Sequence, residues 1–230
     1  MAHEQDGAVD GWFGRMESAF YQHQVRRVGP RARFVEIGSW KGRSAVCMAS
    51  AIRRSGKQIE FSCVDTWRGS DEHKGMKEIQ EDRLYKEFLQ NTLPLREYIR
   101  PLRLPSVEAA AEFADGSLDF VFIDAAHDYE SVTADILAWT PKVKPDGVLA
   151  GHDYHASWPG VVKAVEEAFG REARIFDTCW YRAPRVWNAT PWSGKAIRRS
   201  IKRSVARLTG AWPPPLAIGR PTTLSQAFGG

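Results

Sequence analysis

Two rhythms of apolar residues alternate along this chain. Short runs rich in apolar residues at 34–37, 59–64, 120–123 and 148–150 each predict a strand buried on both faces. Between them, Ala45, Val46, Met48, Ala49 and Ile52, then Val132, Ile136 and Leu137, then Val161, Val162, Val165 and Phe169 recur at helical spacing. An earlier stripe, Trp12, Phe13, Met16, Ala19 and Phe20, predicts an amphipathic helix over 11–27, stopped by Gly29-Pro30. Residues 98–104 read as a strand interrupted by Pro101, which confines it to an edge. Ser106 then stands where it would cap a helix over 106–113, a role that explains it without any ligand, although it could also reach one. Pro145-Asp146-Gly147 reads as a turn into the strand at 148–150, and two runs at 174–177 and 179–182 read as a closing pair. Strands and helices alternating in this way predict one α/β domain with a mainly parallel sheet and helices on both faces.

The pattern breaks in two places, and the breaks hold the candidate chemistry. Residues 33–44 read Arg-Phe-Val-Glu-Ile-Gly-Ser-Trp-Lys-Gly-Arg-Ser: a strand, a glycine turn and a helix start. Gly38 permits a tight turn and the approach of a ligand to the backbone, because no Cβ stands in the way. The helix start behind Gly42 offers unpaired N–H groups suited to a carboxylate or phosphate. Glu36, at the strand's carboxyl end, argues for a ligand that brings donors, such as an ammonium or sugar hydroxyls. The spacing E-x-G-x-x-x-G-x-S is neither a dinucleotide fingerprint nor a P-loop. The second strand ends on Asp65, close to the ~20 residues past the glycines at which such folds place an acid on ribose hydroxyls. Capping of the following turn is the alternative for Asp65.

In the second break, the strand at 120–123 delivers Asp124 to its carboxyl end, with His127 three residues on. The strand at 148–150 delivers Gly151-His152-Asp153-Tyr154. Neighbouring strand ends would bring Asp124, His127, His152 and Asp153 to one crevice, where open α/β sheets bind ligands. Carboxylates with an imidazole suit a divalent ion that keeps open positions, magnesium by its oxygen ligands or manganese by the histidine. Each acid taken singly is equally a helix cap.

Charge and composition change this picture only at the ends. The net charge of +4 is a property of the tail: residues 190–230 hold seven of the 32 basic residues and none of the 28 acidic ones. The remaining 25 basic and 28 acidic residues leave 1–189 at −3, without the basic footprint of a nucleic-acid-binding domain. The chain thus divides into a domain at 1–189 and a basic extension at 190–230. Within the extension, Ile197, Ile201, Val205 and Leu208 recur at helical spacing among basic residues. A helix over 195–212 would lie on anionic membrane, bind a partner protein or dock on its own domain. Residues 71–100 form a long charged insertion with a broken stripe (Met76, Ile79, Leu84, Phe88, Leu89), read as a lid or substrate wall, or as a solvated helix. No run of about 18 apolar residues occurs, and the first residues lack the layout of a signal peptide. Cys47, Cys63 and Cys179, odd in number and widely spaced, read as buried thiols of a cytoplasmic protein.

Four blocks carry a resemblance: Val-Glu-Ile-Gly-Ser at 35–39, Val-Asp-Thr-Trp at 64–67, Phe-Ile-Asp-Ala-Ala-His at 122–127 and Gly-His-Asp-Tyr at 151–154. In this order, and over about residues 11–185, they resemble the class I S-adenosylmethionine (SAM)-dependent methyltransferases. The likeness is to the metal-dependent O-methyltransferase branch, which includes catechol O-methyltransferase and bacterial sugar O-methyltransferases. That resemblance implies a Rossmann-like, mainly parallel seven-stranded sheet. It places SAM at Glu36, Gly38, Ser39, Gly42, Ser44, Asp65, Ser106 and Asp124, and a divalent metal at Asp124, His152 and Asp153. In catechol O-methyltransferase a catalytic lysine falls at the position of His127, and an Asp-Asn pair falls at His152-Asp153. Catalysis is therefore expected from His127 as base, with Asp124. The implied acceptor is a hydroxyl of a small molecule or saccharide, in a cytoplasmic protein that could sit against the inner membrane face and for which a homo-oligomer is compatible. The same metal cluster and fold also resemble antibiotic-pathway proteins regarded as hydroxylases, and an inactive SAM-binding partner subunit is a third reading.

Overall fold

A computed structural model describes residues 9–69 and 83–182, with Met76 and Ile79 between them. The elements are α1 (Arg15–Arg27), β1 (Arg31–Ile37), α2 (Arg43–Ser55), β2 (Gln58–Val64), α3 (Leu84–Thr92), β3 (Arg100–Leu102), α4 (Ser106–Ala110), β4 (Leu118–Ile123), α5 (Tyr129–Trp139), β5 (Val143–Gly151), α6 (Pro159–Phe169), β6 (Ala173–Phe176) and β7 (Cys179–Arg182). The strands form one seven-stranded sheet in the order β3-β2-β1-β4-β5-β7-β6. The first five pair in parallel, and β7 pairs antiparallel with both β5 and β6. This is the Rossmann-like order expected from the four blocks. The chain winds outward from β1 to β3 and then returns to place β4 beside β1, so a crevice opens at their carboxyl ends.

Successive strand residues point to opposite faces, and each face buries its own layer. Phe34, Phe120 and Phe122 pack on one side with Phe20 of α1 and with Met48 and Ile52 of α2. Val35, Ile37, Val121 and Ile123 pack on the other with Trp139 of α5 and Val165 of α6. Burial on both faces explains why the strands lack alternation of apolar and polar positions. Edge-on aromatic contacts, such as Tyr21 on Phe122 at 4.9 Å between ring centroids, seat α1 over the middle of the sheet.

Several boundaries differ from the sequence reading. Helix α1 starts at Arg15, not at residue 11, because the Glu17 carboxylate turns back to accept the Gly14 N–H at 3.0 Å. Residues 9–13 precede it as a strap over the carboxyl edge, held where the Arg43 guanidinium donates to the Gly11 carbonyl at 2.9 Å. Pro145-Asp146-Gly147 does not precede β5 but lies inside it, where the pairing with β4 slips between Leu118 and Phe120. Such a bulge carries a proline that a regular ladder would not admit. The strand with Pro101 is an edge strand as expected, shortened to Arg100–Leu102. Ser106 is the first residue of α4 and its hydroxyl caps nothing; Pro105 stands at the cap, and α4 ends at Ala110 rather than 113. Of the insertion at 71–100, α3 buries Leu84 and Phe88 and exposes Leu89. The basic extension from 190 onward lies outside the described residues, as does most of 70–82. Among the described residues no helix is long and apolar enough to cross a membrane, and the three cysteines are buried and unbridged.

Candidate active site

Four loops are tied in one row by hydrogen bonds that continue the parallel ladder past the strand ends. Leu102 O accepts the Asp65 N–H at 3.2 Å, Val64 O that of Gly38 at 2.9 Å, Ile37 O that of Asp124 at 2.8 Å and Ile123 O that of His152 at 3.0 Å. Each of these four residues is the first beyond its own strand, so the pairing register sets them side by side. A cavity of about 510 Å³ runs above the row, within the usual size of a small-molecule site. Gly38, Ser39, Ser44, Asp65, Ser106, Asp124, His127, His152 and Asp153 all line it.

Two residues assigned to the cofactor do not line the cavity. Glu36 shares the Phe34 face of β1 and is 1% exposed, beneath α1, where Tyr21 Oη donates to its Oε2 at 2.7 Å. Burial pushes its carboxyl up to about 7; Tyr21, Ser39 and Ser44 offset part of that rise, yet Oε1 is left without a hydrogen bond of good geometry. Gly42 is the left-handed start of α2 (φ +90°), and a Cβ there would meet Thr92 Cγ2 of α3 at 2.9 Å. The reading of Gly38 changes as well: a Cβ at that position would lie 1.9 Å from the Asp124 carbonyl oxygen. The glycine lets the β1 and β4 loops touch while its backbone still lines the cavity.

Asp65 is committed to backbone. Its Oδ2 accepts the N–H groups of Ser39 and Trp40 at 3.0 and 2.9 Å, and its Oδ1 accepts that of Trp67 at 2.7 Å. The turn-capping alternative is therefore realised, and the same carboxylate shapes the glycine loop. Trp40 and Asp153, both cavity-lining, adopt left-handed backbone (φ +46° and +58°), a costly conformation that clusters at functional sites.

At the other end, His152 gathers three acids. Its Nδ1 lies 3.5 Å from Asp124 Oδ1 and 3.3 Å from Asp153 Oδ2; its Nε2 lies 3.4 Å from Glu17 Oε1 and 2.9 Å from Thr178 Oγ1. Burial alone would lower its pKa, but hydrogen bonds to Asp124, Asp153 and Glu17 carry it up to about 12. Asp153 also meets His127 Nε2 at 3.0 Å, and the His127 ring stacks on Trp158 with centroids 3.9 Å apart. Burial works to raise Asp153, and the two imidazoles overcome it, holding the acid well below the ordinary carboxylate range.

The donor set fits a divalent ion. One ligand atom each from Asp124, His152 and Asp153 lie within 4.8 Å of one another. Glu17 and Thr178 engage the Nε2 of His152 and so turn its Nδ1 toward the two acids, the arrangement usual for a ligating histidine.

Sequence reasoning passed over Glu17, Thr178 and Trp158. Glu17 carried a signal, because Phe13, Glu17, Phe20 and Gln24 fall on one buried stripe, and an acid on a core stripe needs a partner. Trp158 carried none.

Residues 35–154 match the methyltransferase domain family. Among curated proteins, the chain is 33% identical over 129 residues to the uncharacterized protein y4gI of Sinorhizobium fredii (strain NBRC 101917 / NGR234). That stretch is 56% of this chain and only 14% of the relative, so the chain spans a small part of its relative's length. Among solved structures it is similar to cofactor-bound Rv0187 from MTB (TM-score 0.55, 16% identity, 80% of this chain and 88% of that one). It is also similar to CalS11, a calicheamicin methyltransferase (TM-score 0.53, 15% identity, 74% and 77%), and to the O-methyltransferase NovP (TM-score 0.52, 17% identity, 74% and 79%). At these identities the likeness is one of fold.

Proposed function

This chain belongs to the methyltransferase domain family, and from that premise we propose that it transfers a methyl group from S-adenosylmethionine to a hydroxyl of a small molecule or saccharide, assisted by a divalent ion. The observation that carries the reading is one cavity joining the glycine loop and Asp65 to the Asp124–His127–His152–Asp153 cluster. When bound, the cofactor supplies the activated methyl group and the ion supplies Lewis acidity toward the acceptor hydroxyl.

The chain's own residues bind, orient and move a proton. Gly38, Ser39 and Ser44, all on the cavity wall, bring backbone and hydroxyl groups to the cofactor. Asp65 stands on the cavity wall at the end of β2, where an acid accepts from ribose hydroxyls. Asp124, His152 and Asp153 hold the ion. His127 takes the acceptor's proton, with Asp153 on its Nε2 and Trp158 on its ring face presenting the imidazole in one orientation. Methyl transfer needs an in-line approach, so this positioning is the main contribution the protein makes.

The test is methyl transfer from labelled SAM into a metabolite extract, with magnesium and after chelation. Incorporation that requires the ion supports the reading; full activity in chelator-stripped protein removes the ion, and a folded protein that does not bind SAM removes the reading altogether. The basic stripe at 195–212, outside the described residues, serves peripheral contact with anionic membrane. Deleting 194–230 should abolish sedimentation with anionic vesicles at low salt and leave SAM affinity intact.

A further inference from the structure

We propose that Trp139 and Asp135, two residues of α5 behind the cavity wall, lock the Ser106 hydroxyl so that it shows the cavity only an acceptor, and that this selects a ligand base with an exocyclic amino group: adenine over its deaminated counterpart. The inference rests on the cofactor reading above, and its test separates the two.

The cavity runs along the carboxyl edge from the loop after β3 to the loop after β5. The group being transferred belongs at the His127 cluster, on the β4–β5 side, and the ribose at Asp65. The base then falls on the β3 side, where Leu104 and Ser106 line the wall.

Ser106 is half-buried, and what stands behind it is not solvent. Trp139 is fully buried, with its ring centroid 5.5 Å from that of Phe113, and its Nε1–H donates to Ser106 Oγ at 2.9 Å. An indole nitrogen has a donor and no acceptor, so this bond can only occupy a lone pair of the hydroxyl. Asp135 precedes Trp139 by one turn on the same helix and is 6% exposed. Its carboxylate accepts a hydrogen bond from Ser106, which offsets part of the rise that burial imposes; the carboxyl is pushed up to about 6 and is ionised above that. An ionised carboxylate only accepts, so the serine proton turns toward it. A hydroxyl has one proton and two lone pairs. With the proton on Asp135 and one lone pair on Trp139, a single lone pair remains for the cavity. The 6-amino group of adenine can fill it, whereas the 6-oxo group of hypoxanthine would meet it lone pair against lone pair.

The experiment compares binding of S-adenosylhomocysteine and S-inosylhomocysteine by calorimetry at pH 8. Wild-type protein should prefer the adenosyl ligand by about tenfold or more, the weight of one hydrogen bond made against one left unmade. Ser106→Ala should bind the adenosyl ligand more weakly and discriminate less than about twofold. Asp135→Asn is the sharper variant: its amide can donate to Ser106 Oγ and free the hydroxyl proton to face the cavity. Binding of the inosyl ligand should then improve in absolute terms, which a merely structural role of Asp135 would not produce. Thermal unfolding confirms that each variant is folded, and Ser106→Ala decides the matter if Asp135→Asn is not. Equal binding of both ligands by wild type, or an unchanged ratio in the folded variants, overturns the lock and leaves the cofactor reading standing. Failure of wild type to bind S-adenosylhomocysteine overturns the cofactor reading, and the lock with it.

Discussion

At the β1–β2 end of the crevice, the acid beyond the strand is held by backbone: Asp65 receives three N–H groups from Ser39, Trp40 and Trp67. At the β4–β5 end, Asp153 is held by side chains, the imidazoles of His127 and His152. The same residue type thus does two kinds of work along one sheet edge. Where the partners are backbone, removing the acid should loosen the loop and the cofactor together. Where they are side chains, function should separate from stability, because each group can be exchanged without undoing the chain path.

The largest expected effect tests the side-chain end. His127→Ala should slow methyl transfer ~10²–10⁴-fold, the usual weight of a general base, while SAM and ion binding persist. If the variant loses the ion instead, His127 is a ligand and Asp124 becomes the candidate base. Next, Asp153→Ala should weaken divalent-ion binding by more than about 100-fold, since it removes one of two anionic ligands, with turnover falling in parallel. Calorimetry with magnesium or manganese reads this directly, and unchanged ion affinity would dismiss Asp153 as a ligand.

The third test concerns the acid beneath the cofactor end. Glu36 is protonated in both folded and unfolded chains below its ordinary pKa of 4.5, and between 4.5 and about 7 only the folded chain keeps the proton. Stability contributed by the neutral carboxyl is therefore lost as pH rises through this window and is gone above about 7. The loss amounts to ~3 kcal/mol by linkage. Urea unfolding across pH 4.5–8 should show that slope in the wild-type protein and a flatter one in Glu36→Gln. Parallel curves would remove Glu36 as the cause.

The smallest effect sharpens the contrast itself. Asp65→Asn keeps the shape but sets an amide NH₂ against backbone donors, which should cost ~1–3 kcal/mol of unfolding free energy and weaken S-adenosylhomocysteine together. Equal losses of stability in Asp65→Asn and His127→Ala would erase the distinction between the two ends.

The alternation of elements and the identity of the strand-end residues were legible because both depend on local rules. A strand buried on both faces must be apolar throughout, and the first residue beyond it is free to be polar, so Asp65, Asp124 and His152 stood out in the linear chain. The four blocks carried the sheet order by resemblance, and the neighbouring strands have that order. What contacts set was not legible. Pairing across four strands fixes the row of loops, and that register emerges only when β4 returns to β1. Glu36 was misplaced because a period of two along β1 decides its face, and α1 covers that face. Gly38 and Gly42 are small for Asp124 and Thr92, neighbours far from them in sequence. The Nε2 of His152 meets Glu17, 135 positions earlier in the chain. Strand, turn and helix follow from neighbours along the chain, whereas charge, burial and hydrogen-bond polarity follow from neighbours in space, and only the folded sheet supplies those.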